Sequence, residues 1–147
     1  MKLYFTRKEI LMGRDVANPL TPEMESNLTK LIEALSIVRH AYGKPLQVSS
    51  GYRPSDINKA AGGANRSAHM TCQACDLVDS NREFANWCIN NLNILKQAGL
   101  YLEDPRWTPR WVHLQIRRPG SGNRVFKLTT PPVDPFFWDG KYDLKFN

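Results

Sequence analysis

The stretch Ser67-Ala68-His69-Met70-Thr71-Cys72-Gln73-Ala74-Cys75-Asp76 sets the tightest condition on the fold of this chain. It carries a histidine and an aspartate seven positions apart, and a second histidine, His113, lies far downstream in Trp111-Val112-His113-Leu114-Gln115. Two imidazoles and one carboxylate make a three-ligand zinc set with a coordination position left open. A fold that uses His69, Asp76 and His113 together must bring a loop, a strand and a distant second strand to one point.

The local patterns agree with that demand. Ala74-Cys75-Asp76-Leu77-Val78 reads as a short strand, and an acid inside an apolar strand is costly unless it is paired or metal-bound. In the strand Trp111–Ile116 the period of two puts Trp111, His113 and Gln115 on one face and Val112, Leu114 and Ile116 on the other. Such a strand suits a sheet that lines a cleft. Leu100-Tyr101-Leu102-Glu103-Asp104 reads as its antiparallel neighbour, which brings Glu103 or Asp104 towards the start of the His113 strand.

Elsewhere the sequence predicts a helix over about 22–41. Thr21 is its N-cap, Pro22 its first residue, Glu23 and Glu25 its first turn and Gly43 its stop. Met24, Leu28, Leu31, Ile32, Leu35 and Val38 form its apolar stripe, and His40 is a helix-end residue. Leu46–Ser50 alternates as a strand and runs into Gly51-Tyr52-Arg53-Pro54, where the proline stiffens an arginine at a site mouth. Residues 55–61 suggest one or two helical turns, and Asp79-Ser80-Asn81 caps a helix over about 81–97. Residues 1–20 read as an irregular lead-in, with Lys2–Phe5 a short strand or docking segment. Val125–Leu128 suggests an edge strand, and the Pro-rich, aromatic tail is expected to pack across the domain. The expectation is one α+β domain over 1–147, with a small antiparallel sheet, helices packed on it, a core at about 20–117 and a tail at 118–147.

Composition excludes more than it selects. No apolar run approaches the roughly 20 residues of a membrane helix, so no membrane insertion is expected. Met1–Glu9 lacks the apolar run of a signal peptide. The net charge of +6 favours polyanionic partners, but no arginine-rich tract or aromatic RNA-binding run points to nucleic acid. Gly62-Gly63-Ala64-Asn65-Arg66 lacks the Gly-Lys-Ser/Thr spacing of a phosphate loop. Three cysteines, an odd number, fit a reducing compartment better than a disulfide scaffold. Cys72-Gln73-Ala74-Cys75 enters a strand, whereas a thioredoxin-like pair opens a helix. A His69/Cys72/Cys75 zinc set would leave Asp76 and His113 unexplained.

Hydrolytic zinc lowers the pKa of a water and polarises the carbonyl under attack. A base must take the proton, and a cation or donor must hold the oxyanion. Glu103 is the candidate base. Arg53 is the candidate for the oxyanion or a substrate carboxylate, which its forked guanidinium matches. Ser67 and Gln115 join Arg53 as candidate substrate-binding residues.

Ser49-Ser50-Gly51-Tyr52-Arg53-Pro54, then Ser67-x-His69-x6-Asp76 with Ala74 two before the aspartate, then Trp111-Val112-His113, resembles the M15 family of zinc peptidases. These are D-alanyl-D-alanine carboxypeptidases and dipeptidases and L-alanyl-D-glutamate endopeptidases, phage endolysins among them. The resemblance spans about residues 20–117. It implies a fold of the Hedgehog/DD-peptidase type, Zn2+ on the face of the sheet, and cleavage of peptidoglycan stem peptides. It also gives Arg53 a part in binding and polarising substrate. Two positions depart from the family pattern. Cys72 stands where glycine is usual, and Arg110 stands where many members carry the base, three residues before the second histidine. The expected protein is a monomeric phage or prophage lytic peptidase, made in the cytoplasm and acting on the wall after release or as a virion-associated protein. The alternative set by Arg110 is a catalytically silent zinc-binding module that binds wall fragments or a protein partner.

Overall fold

Helix α2 (Pro22–Tyr42) builds the apolar side of the molecule in the computed structural model, which describes residues 1–63 and 66–127. The Thr21 hydroxyl accepts the Met24 amide proton, Pro22 sits at the first position, and Gly43 ends the helix at φ 79°. Leu28, Leu31, Ile32, Leu35 and Val38 are buried along one stripe.

Five strands form one sheet: β1 (Val48–Ser50), β2 (Ala74–Val78), β3 (Tyr101–Glu103), β4 (Trp111–Gln115) and β5 (Val125–Phe126), in the order β1-β2-β4-β3-β5. The β1–β2, β2–β4 and β3–β4 pairs are antiparallel, as expected, while β5 lies parallel to β3. The parallel edge has a simple cause. Both sides of β4 are taken, so the chain leaving it reverses, passes β3 and docks on the outer edge of β3. Residue 128 of the expected edge strand, and the tail to 147, lie outside the described residues.

Helices cover one face of the sheet: α2 lies beside α5 (Leu92–Ala98), α4 (Glu83–Asn90) rests against β4, and α5 against β3. Their side chains and Cys75, Leu77, Leu102, Val112 and Leu114 form one apolar core. The structure is thus α+β, with α3 (Ser55–Ala60) packed beside the short turn Ala68–Thr71.

Two expectations are corrected. The single helix over 81–97 is two helices. Asn91 leaves the helical region at φ −133°, and its side-chain amide caps the Trp87 carbonyl at 2.8 Å. The apolar stripe runs through this break, which is why periodicity did not reveal it. The lead-in is not irregular either. It contains α1 (Arg7–Leu11), started by a reciprocal capping box between Thr6 and Glu9. Phe5, Ile10 and Leu11 are buried in the core, and the Tyr4 amide donates to the Ser36 hydroxyl of α2 at 3.0 Å. The core therefore begins near residue 5 rather than 20. Among the described residues, no helix is long and apolar enough to cross a membrane.

Candidate metal centre

Sheet register assembles the site. Ser50 lies opposite Asp76, and Asp76 opposite His113. Tyr101 lies opposite Gln115 and Leu102 opposite Leu114, so Glu103 falls beside His113, and Glu103 in turn lies opposite Phe126. Ser50, Asp76, His113, Glu103 and Phe126 thus form one row across the sheet, on the face away from the helices. A bulge between Val48 and Ser50 shifts the β1 register there, and this re-aims the chain into the Gly51–Arg53 segment.

His69 reaches the row from a one-turn 3-10 helix, Ala68–Thr71. The Ser67 hydroxyl accepts the His69 amide proton, and the His69 carbonyl accepts the Arg53 amide proton at 3.1 Å. The imidazole donates from Nδ1 to the Gly51 carbonyl at 2.8 Å. Gly51 is itself pressed on α1: a Cβ there would lie 2.1 Å from the Ile10 carbonyl oxygen, which accepts the Tyr52 amide proton. Glycine is required here by close approach. Arg14 donates to the Tyr52 carbonyl, and the Tyr52 hydroxyl to the Asn18 carbonyl. The N-terminal segment is therefore the brace behind the Gly-Tyr-Arg motif.

Each candidate ligand has one donor atom engaged by the protein and one left over. His69 spends Nδ1 on Gly51, leaving Nε2. Asp76 accepts Arg53 at Oδ2, 2.9 Å, leaving Oδ1. His113 faces the Gln115 Oε1 with Nε2 at 2.8 Å, leaving Nδ1. The three remaining atoms converge. His69 Nε2 lies 3.2 Å and His113 Nδ1 2.9 Å from Asp76 Oδ1, and a ligand atom from each residue lies within 4.8 Å of the others. A tetrahedral zinc with bonds near 2.0–2.1 Å separates its ligand atoms by ~3.3 Å. The donor set therefore fits zinc in type and spacing, and its outer hydrogen bonds are those that orient metal-bound histidines. All three residues are buried, at 2%, 5% and 6% exposure for His69, Asp76 and His113.

The sequence model of the family Peptidase M15 matches residues 3–114. The chain belongs to the peptidase M15 family. No curated protein matches the chain closely enough to add to this. M15 peptidases are zinc-dependent in general, and the His-Asp-His group of this member is a set that could hold the ion. The match starts at residue 3, in keeping with an N-terminal segment that is part of the domain.

Electrostatics distinguish the groups of this M15 site. Burial works to raise the Asp76 carboxyl, but hydrogen bonds and charge from His113 and His69 outweigh it and hold Asp76 well below the carboxylate range. Burial lowers His69 more than Asp76 raises it. Burial also opposes the charged form of His113, yet Asp76, Glu103 and Gln115 together raise it. Glu103 is lifted above its ordinary value, first by burial, although His113 pulls it down.

The row opens on a cleft of about 740 Å³, whose lining includes Arg53, Ser67, His69, Asp76, Glu103, His113 and Gln115. Every expected site residue therefore reaches one place. Trp107, Trp111 and Phe126 supply apolar wall, and Arg66, Arg117, Arg118 and Lys127 make the far side cationic. The other acid, Asp104, is fully buried and accepts Arg106 through both oxygens. Arg110 is exposed in the turn before β4, with its carbonyl accepting the Asp79 amide proton.

Three residues near the site are engaged within the protein itself. Gln115 touches the cleft, but its carbonyl faces His113 and its amide donates to the Arg117 carbonyl at 2.8 Å, so both ends are engaged within the protein. Ser67 likewise caps the His69 turn. Cys72 lies in the core at φ 59°, a conformation that favours glycine, and burial pushes its thiol up to about 12. Its sulfur adds nothing to the metal group, and Cys75 is buried in the core on the opposite face from Asp76. Sequence reasoning missed the brace from Ile10 to Asn18. The Thr6-x-x-Glu9 capping signature could have disclosed α1.

Proposed function

We propose that this chain is a zinc metallopeptidase that cuts peptide bonds in peptidoglycan stem peptides. The single observation that carries the reading is the convergence of His69 Nε2, Asp76 Oδ1 and His113 Nδ1 at the floor of a cleft, with Glu103 next in the same row. His69, Asp76 and His113 would hold the ion. Zinc bound there supplies Lewis acidity to the scissile carbonyl and a lowered pKa to the attacking water.

The side chains around the ion divide the remaining work. Glu103 is the general base. Burial raises its proton affinity towards the range in which a carboxylate accepts a proton from water and passes it to the leaving amine. Arg53 is held by Ser50 through Nε and by Asp76 through one terminal nitrogen, so its guanidinium is fixed at the cleft wall. There it can meet a developing oxyanion or a substrate carboxylate. The cationic far wall suits the carboxylates of wall peptide, and a net charge of +6 suits approach to an anionic wall. On this reading the chain is a lytic enzyme of phage or prophage type that acts on the wall after release or from a virion.

The test is peptidoglycan digestion by wild type and Glu103→Gln, with zinc content measured on both. Wild type should release peptide fragments with one zinc per chain. The variant should keep zinc and lose about 10²–10⁴-fold in turnover. Zinc in both and product from neither would instead favour the silent module.

A further inference from the structure

Arg117 sits just beyond β4, half-buried, and touches neither histidine. Its guanidinium nevertheless spans the segment that carries His69. It donates from Nε to the Gln73 side-chain oxygen at 3.0 Å, and from its two terminal nitrogens to the Arg66 carbonyl at 2.6 Å and the Thr71 hydroxyl at 2.7 Å. The Thr71 hydroxyl in turn donates to the same Gln73 oxygen at 2.6 Å. These acceptors bracket His69 on both sides in sequence.

The backbone of Arg117 is linked to the other histidine through Gln115. Its carbonyl can only accept, so the Gln115 side-chain nitrogen that lies 2.8 Å away must be the donor. That fixes which end of the Gln115 amide is oxygen. The oxygen then faces His113 Nε2 at 2.8 Å and requires a proton on that nitrogen. With Nε2 protonated, the lone pair of neutral His113 lies on Nδ1, the atom that faces Asp76. One residue thus sets the tautomer of His113 with its carbonyl and the seat of His69 with its side chain.

We infer that Arg117 is a positioning residue that locks both histidine ligands into metal-binding geometry. The inference rests on the reading of His69, Asp76 and His113 as the metal ligands. Only arginine suits the role: three acceptors spread along the 66–73 segment meet three edges of a rigid planar fork, which a lysine ammonium on a flexible stem does not reproduce. The guanidinium pins the chain just past β4, and with it the carbonyl that Gln115 uses.

The test measures zinc affinity by chelator competition, together with the visible spectrum of the cobalt-substituted protein, for wild type, Arg117→Met and Arg117→Lys. Thermal melting in chelator reports the fold separately. Both variants should bind zinc about 10-fold more weakly than wild type, the lower end of the loss seen when a group that holds a metal ligand directly is removed. The cobalt bands should shift, and lysine should not rescue. Wild-type affinity and an unchanged cobalt spectrum in either variant would overturn the inference, as would a lower melting temperature with unchanged zinc affinity. No zinc bound by wild type would overturn the metal-centre reading itself and the inference with it.

Discussion

Cys75 and Asp76 are neighbours in β2, yet one is sealed in an aliphatic layer and the other heads a charged cleft. The same contrast holds in β4 between Leu114 and His113, and in β3 between Leu102 and Glu103. On the helix-covered face, Leu77, Leu102, Val112 and Leu114 are wholly buried and gain stability from burial alone. On the cleft face, the largely buried row carries two acids and an imidazole whose desolvation costs stability unless each finds a partner. One sheet thus divides its labour by parity. Alternate residues hold the fold, and those between them hold a constellation that the fold must support.

That division can be broken from either side. The largest effect on function should come from His113→Ala, which removes a ligand from the cleft face. Zinc binding should be lost and peptidoglycan hydrolysis should fall by ~10³-fold or more, the equivalent of several kcal/mol of metal assistance. Circular dichroism should remain that of the folded chain, because the core face is untouched. Its neighbour Leu114→Ala should do the reverse. Denaturant unfolding should show a loss of about 2–5 kcal/mol, while the folded fraction keeps its zinc and its turnover per molecule.

A smaller and opposite effect is expected at Glu103. Burial raises its carboxyl, so the folded chain holds the proton at pH values where the unfolded chain has released it. The contribution of Glu103 to stability is therefore fully present below the ordinary carboxylate range and is lost as pH rises through the raised value. Glu103→Gln carries no charge to bury. In chelator, thermal melts should show the variant a few degrees more stable than wild type at neutral pH, with the curves converging in acid. Equal melting at all pH values would mean that Glu103 carries no such cost, and would weaken its place as the base.

The contrast between faces also explains what could be read from the sequence. Parity and period are local, so β2, β4 and the stripe of α2 were legible, and so was the shared face of Trp111, His113 and Gln115. His69, Asp76 and His113 were legible as a set because ligand chemistry restricts residue type more than any structural role does. Arrangements made through backbone groups were not legible. Gly51 is recognisable as part of a motif, but its reason, the Ile10 carbonyl against its Cα, belongs to a helix 41 residues earlier in the chain. The five-residue α1 is too short to show a period, and only its capping box marks it. Parity places Gln115 on the cleft face, but its orientation is set by the Arg117 carbonyl. No pattern of side-chain types encodes that contact.

The most direct test of the central claim is a zinc titration of chelator-stripped wild-type protein, followed by release of peptide fragments from peptidoglycan. The account predicts no release without metal and activity that rises with added zinc to a plateau at one equivalent. Full activity in the stripped protein, or failure to bind zinc at all, would contradict it.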